Sequence, residues 1–118
     1  MRVESSTSAG IEYLNKKDVL PSLRKAARTL KKNPNVISVK LFGSLVRGDY
    51  VPGSDADILI VLKHDERRMI DRIPEYLDFF DDVTFPVELF PYSEAELTRM
   101  EERGNPFIKE ILCTGVEL

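Results

Sequence analysis

Leu41-Phe42-Gly43-Ser44-Leu45-Val46-Arg47-Gly48, resumed at Ser54-Asp55-Ala56-Asp57-Ile58, is the stretch that decides how this chain folds. Upstream of it, Val36, Ile37, Val39 and Leu41 mark a strand from Val36 to Phe42. That strand runs straight into Gly43-Ser44, where the missing Cβ lets backbone approach a bound group closely. If Ser44 opens a short helix, its hydroxyl and the N–H groups of the first turn can hold phosphate oxygens. Arg47, one turn on, can add a charge-assisted fork to the same oxygens. Downstream, Asp57 to Leu62 reads as a second strand, and its unbroken Ile58-Leu59-Ile60-Val61-Leu62 run implies burial on both faces.

Asp55 and Asp57 are two residues apart at the entry to that second strand. Alternation across a sheet places both carboxylates on one face, roughly 6–7 Å apart along the strand. Two like charges on one face repel unless a cation lies between them. Hard oxygen ligands beside phosphates select Mg²⁺, which prefers one or two carboxylates plus substrate oxygens and water. Glu88 is the candidate third acid, because Val87 and Leu89 on either side of it would point to the opposite face. A third carboxylate would complete an arrangement that clamps attacking and leaving oxygens. Each feature alone has an ordinary explanation. Gly-Ser pairs are mostly plain turns, Asp-x-Asp beside a strand is often turn chemistry, and Arg47 or Glu88 could sit on a wet surface. Together, in this order, they point to a phosphate and metal site.

Working outward, residues 1–15 form an N-terminal arm without a motif. Asp18 to Lys32 holds a helical period, with Asp18 as cap and Pro21 in the tolerated first turn. Leu20, Leu23, Ala27 and Leu30 form its inward stripe, and Lys16, Lys17, Arg24, Lys25, Arg28, Lys31 and Lys32 its solvated face. Beyond the second strand, Asp65 is the expected cap of a helix that turns Met69, Ile70, Ile73 and Leu77 inward and is kinked or ended by Pro74. Phe85 to Phe90 reads as a third strand. Ser93-Glu94-Ala95-Glu96 is a capping box for a helix over 94–103 that Gly104 closes. Asn105-Pro106 starts a last helix through Leu112. Three strands between helices around one sheet give an α/β (α+β) architecture.

A length of 118 residues matches one domain. No apolar run nears the ~20 residues of a membrane span, and the N-terminus lacks a signal-peptide core. With a single cysteine, Cys113, a disulfide framework is excluded and a cytoplasmic setting is expected. Cys113 follows Ile111 and Leu112 and reads as an inert, buried thiol. Residues 1–50 carry ten Lys/Arg against four Asp/Glu, but the helix accounts for most of that excess, so nucleic acid is not the expected acceptor. Lone His64 reads as a surface or capping residue, and Tyr50 is the one tyrosine near enough to the motif to contact a base.

The motif residues resemble the DNA polymerase β-like nucleotidyltransferase superfamily, whose pattern is Gly-Ser, ten residues, then Asp-x-Asp, with a later strand carboxylate. Gly43-Ser44 is followed by ten residues before Asp55-Ala56-Asp57, and Arg47-Gly48 and Ser54 also match. The element order extends the likeness over residues 16–90. The chain looks most similar to the minimal, MntA-like group, small proteins often paired with a helical HEPN partner. The resemblance implies a nucleotidyltransferase fold, a small mixed β-sheet flanked by helices. It implies a single domain over 1–118, with a catalytic core at 16–90 and C-terminal helices at 91–118. Gly43, Ser44, Arg47 and Ser54 would bind the nucleotide, and Asp55, Asp57 and Glu88 would be catalytic and hold Mg²⁺. Many relatives carry Asp where this chain has Glu88, which bears on a second metal more than on the first. The implied reaction transfers AMP from ATP to a hydroxyl acceptor, presented by a partner protein such as a HEPN toxin. Two other roles stay open: an antitoxin of a toxin–antitoxin system that masks its partner without catalysis, and a transferase acting on a small molecule. A homo-oligomer is compatible with either.

Overall fold

The structure, a computed structural model, describes residues 19–48 and 54–118. A four-stranded sheet in the order β3-β2-β1-β4 is built from β1 (Val36–Phe42), β2 (Ala56–Leu62), β3 (Val87–Ser93) and β4 (Val116–Glu117). β1 runs antiparallel to β2 and β4, whereas β2 runs parallel to β3, so the sheet is mixed as expected. The helices are α1 (Val19–Leu30), α2 (Ser44–Arg47), α3 (Met69–Leu77), α4 (Glu94–Glu102) and α5 (Pro106–Thr114). A parallel pair needs a crossover, and α3 supplies it between β2 and β3.

Strand alternation divides the core in two. On one face, Leu20, Leu23, Ala27 and Leu30 of α1 pack with Val39, Leu41, Ile58, Ile60 and Leu62, and Tyr76 and Phe80 close the side. On the other, Phe42 and Leu59 meet Ile108 and Ile111 of α5, with Phe90, Tyr92 and Phe107 around them. The rings of Phe42, Phe90 and Phe107 lie 5.4–5.5 Å apart in tilted and edge-on contacts. β2 contributes to both layers, which is why its apolar run is unbroken. The capping box is present, with Ser93 Oγ accepting from Glu96 N at 3.2 Å and Glu96 Oε1 accepting from Ser93 N at 2.8 Å. Asn105 caps α5 through the Phe107 N–H at 2.8 Å, and Gly104 takes a positive φ of 70° after α4.

Several expectations are corrected. A fourth strand, β4, is too short to be seen as a period, yet Glu117 fixes it by accepting from Ser38 Oγ at 2.6 Å and Val39 N at 3.1 Å. β3 begins and ends later than expected and contains Pro91, which an edge strand tolerates. Arg68 rather than Asp65 occupies the N-cap position of α3. Asp65 instead binds the Arg67 guanidinium at 2.7 and 3.1 Å. Pro74 neither ends nor breaks α3, which runs on to Leu77 and tightens into a 3₁₀ turn at Asp78–Phe80. Ile70 and Leu77 face outward, 68% and 41% exposed, while Arg72 and Tyr76 hold the buried face.

The cause is Arg72, 2% exposed, whose five N–H groups all find acceptors. Nε donates to the Arg67 carbonyl at 2.9 Å, Nη1 to the Pro91 carbonyl and Glu96 Oε1 at 2.9 and 2.7 Å, and Nη2 to the Asp65 carbonyl and Glu96 Oε2 at 2.9 and 3.0 Å. Cys113 is exposed, not buried, because α5 turns Ile108 and Ile111 inward and leaves the following residues to solvent. The arm at 1–15, the Asp18 cap and Tyr50 lie outside the described residues.

Candidate active site

Gly43 ends β1 and caps α2 with φ 90° and ψ −156°, a conformation open to glycine and strained for any other residue. A Cβ there would stand 2.3 Å from Asp57 Oδ2 and 3.2 Å from its Cγ. The turn and the second aspartate are therefore packed against each other, too closely for any side chain at position 43. Ser44 does open a helix, and the Val46, Arg47 and Gly48 N–H groups turn back to Gly43 O and Ser44 O at 3.1, 3.0 and 2.8 Å. Leu45 and Val46 anchor this single turn in the core. The Ser44 and Leu45 N–H groups, at the first two positions of the helix, have no acceptor within it, and they lie at the turn that Asp57 contacts.

Asp57 pairs across the sheet with Phe42 on one side and Glu88 on the other. Register partners share a face, so Asp57 and Glu88 emerge together at the starts of the parallel strands β2 and β3, at the margin of the aromatic layer. Asp55 lies just before β2 and is exposed, and Ser54 beside it is half-buried. Burial by its neighbours, followed by repulsion from Glu88 and Asp55, pushes the Asp57 carboxyl up to about 6, against which the charge of Arg47 acts. All seven sequence-expected residues thus fall at one end of the sheet. Among the described residues no three His, Cys, Asp or Glu side chains converge into a metal cage by themselves.

Arg47 pairs through Nη1 with Glu110 Oε2 of α5. Glu110 also adds to the repulsion felt by Asp57. It was not foreseen from sequence: 63 residues separate it from Arg47, and within the pattern of α5 it reads as a solvent-facing acid. His64 is exposed, as expected for a surface residue.

A family model for the nucleotidyltransferase domain matches residues 21–112 of this chain, from the first helix through the last. The chain belongs to the nucleotidyltransferase domain family. The matched span includes the Gly43-Ser44 turn, Asp55, Asp57, Glu88 and Glu110. The fold is shared with an inferred nucleotidyltransferase from Sulfolobus solfataricus, known from a crystal structure. The two superpose with a TM-score of 0.59 at 24% identity, covering 98% of this chain and 87% of that one. No protein of curated function matches the chain in sequence. Among the described residues, no helix of this nucleotidyltransferase domain is long and apolar enough to cross a membrane.

Proposed function

We propose that this nucleotidyltransferase domain transfers AMP from ATP to a hydroxyl of a partner protein, using Mg²⁺. The observation that carries the reading is the contact of Asp57 with the Gly43 turn, with Glu88 in register beside it. Phosphate oxygens seated on that turn would lie against the carboxylate, an arrangement that is repulsive without a cation. The donor set suits Mg²⁺: hard oxygens, two to three carboxylates, and a site that needs phosphate and water to finish the shell. Asp55 and Asp57 would hold it, with Glu88 as the third acid. When bound, it neutralises phosphate charge and the charge of the leaving pyrophosphate.

In the reaction the acceptor oxygen bonds to the α-phosphorus, the bond to pyrophosphate breaks, and the hydroxyl proton passes to a carboxylate. Glu88, exposed at the start of β3, is suited to receive it. Gly43 and Ser44 orient the triphosphate, and Arg47 supplies a guanidinium to it. Most of the rate enhancement then comes from positioning and electrostatics. A protein acceptor is favoured by the resemblance to the minimal, MntA-like group. A HEPN-type helical protein is the partner class that the resemblance suggests.

The test incubates the chain with labelled ATP, Mg²⁺ or Mn²⁺ and a co-purified HEPN-type partner, followed by mass spectrometry of that partner. An added AMP that disappears in the Asp55→Asn/Asp57→Asn variant, with partner binding intact, is the expected result. Neutralisation of the partner that survives the double variant without any added AMP would assign the chain a masking role instead.

A further inference from the structure

The Arg47–Glu110 pair joins the smallest helix of the fold to one of the most firmly held. α2 is a single turn whose last residue is Arg47. α5 is fixed by the Asn105 cap, by Pro106 in its first turn and by buried Ile108 and Ile111. Its Glu110 therefore meets Arg47 from a rigid base. Both side chains are partly open to water, 37% and 40% exposed. An ion pair in that setting is weak and exchangeable, unlike the buried contacts of Arg72. Both groups also act on Asp57, in opposite directions: Arg47 favours its charge and Glu110 opposes it. Three charged side chains thus share the space at the mouth of the Gly43 turn.

We propose that Glu110 is a positioning residue that competes with the triphosphate for Arg47 and so sets how tightly the nucleotide and the leaving pyrophosphate are held. The inference rests on the nucleotide reading above. Before a nucleotide binds, Glu110 receives the guanidinium and keeps it beside the acids, where its positive charge partly offsets their repulsion. A polyphosphate offers the same guanidinium several charged oxygens in a matching fork, and Arg47 passes to them. Glu110 is then left without that charge next to a second anion. Each binding event therefore carries a penalty set by Glu110, and each release of pyrophosphate is helped by the return of Arg47. Removing the charge of Glu110 should tighten polyphosphate binding, the opposite of what loss of a phosphate-holding group does.

The experiment measures calorimetric dissociation constants for ATP with Mg²⁺, and for tripolyphosphate alone, in four proteins: wild type, Glu110→Gln, Arg47→Gln and the double variant. Thermal melts of each confirm that they are folded. An exposed ion pair predicts about two- to fivefold tighter binding of both ligands to Glu110→Gln. Arg47→Gln should bind more weakly than wild type. The proposal requires that Glu110→Gln change little once Arg47 is gone. Equal tightening in the Arg47→Gln background would mean that Glu110 repels phosphate directly and would overturn the exchange. Weaker binding by Glu110→Gln overturns it as well. Wild type that binds neither ligand removes the nucleotide reading and this proposal together, whereas ordinary wild-type binding with an unresponsive Glu110→Gln removes this proposal alone.

Discussion

The parallel pair β2 and β3 carries a charge cluster at each end, and the two are built on opposite rules. At the ends of the strands, Arg72 is buried and all five of its donors are matched by Glu96 and the carbonyls of Asp65, Arg67 and Pro91. At their starts, Asp57 faces Glu88 and Asp55, charges of its own sign, with Arg47 drawn toward Glu110. Hydrogen bonds from Arg67 hold the Asp65 carboxyl down to about 2, and those from Arg72 lower that of Glu96, whereas Asp57 is pushed up to about 6. One end has its charges settled within the chain. At the other, the described residues gather more negative than positive charge around Asp57, the condition that a bound cation would relieve.

The largest effect should come from breaking the settled end. Arg72→Ala removes the guanidinium donors from Glu96 and three carbonyls at a junction of the β2–α3 loop, β3 and α4. Removing one member of a buried charge network costs about 3–5 kcal/mol, a large share of the stability of a domain this size. Urea denaturation should show the loss, and Arg72→Lys should recover little of it, because an ammonium cannot span the five acceptors. A loss under about 1 kcal/mol in Arg72→Ala would mean that this end is not the anchor the contacts make it.

Next in size is Gly43→Ala. The backbone strain of a positive φ costs about 1–3 kcal/mol, and the added methyl must displace the Asp57 carboxylate that lies 2.3 Å away. Either the turn or the acid moves. Transfer activity and nucleotide binding should therefore fall much further than the melting temperature, since the same shift separates the two halves of the site. Wild-type nucleotide affinity in Gly43→Ala would show that contact between turn and carboxylate is not what the site depends on.

These two ends were not equally legible in the sequence. The acid end was readable because its parts are close in sequence: Gly43-Ser44, Asp55 and Asp57 lie within fifteen residues, and strand alternation placed Glu88 on the correct face. The α1, β1 and β2 core followed from periodicity for the same local reason. The Arg72 end was not readable, although the Ser93–Glu96 capping box within it was. A period count assigned Ile70 and Leu77 to the interior, yet α3 turns Arg72 and Tyr76 inward, because five matched hydrogen bonds offset the cost of burying a guanidinium. Nothing local to α3 announces the Pro91 carbonyl or Glu96, which the fold delivers from 19 and 24 residues away. Glu110 was hidden in the same way, and so was β4, whose Glu117 is held by Ser38, Val39 and Lys31 rather than by any local pattern.

The smallest effect gives the sharpest contrast between the two ends, because its sign is unusual. Asp57 has a folded pKa of about 6 against an ordinary 3.8, so its contribution to stability is fully present below pH 4 and is lost as the pH rises through 6. Asp65, with a folded value of about 2, contributes stability above pH 4 and loses it as the pH falls toward 2. Asp57→Asn, which mimics the protonated acid, should leave stability near the wild-type value at pH 4. At pH 7.5 it should be the more stable protein, by about 1 kcal/mol after allowance for solvent screening of a partly buried group. That corresponds to a rise of roughly 4 °C in Tm. Mg²⁺ with ATP should close the gap by stabilising the wild type and not the variant. A variant that is less stable than wild type at pH 7.5 would place Asp57 among the settled charges, and the contrast between the two ends of the sheet would be lost.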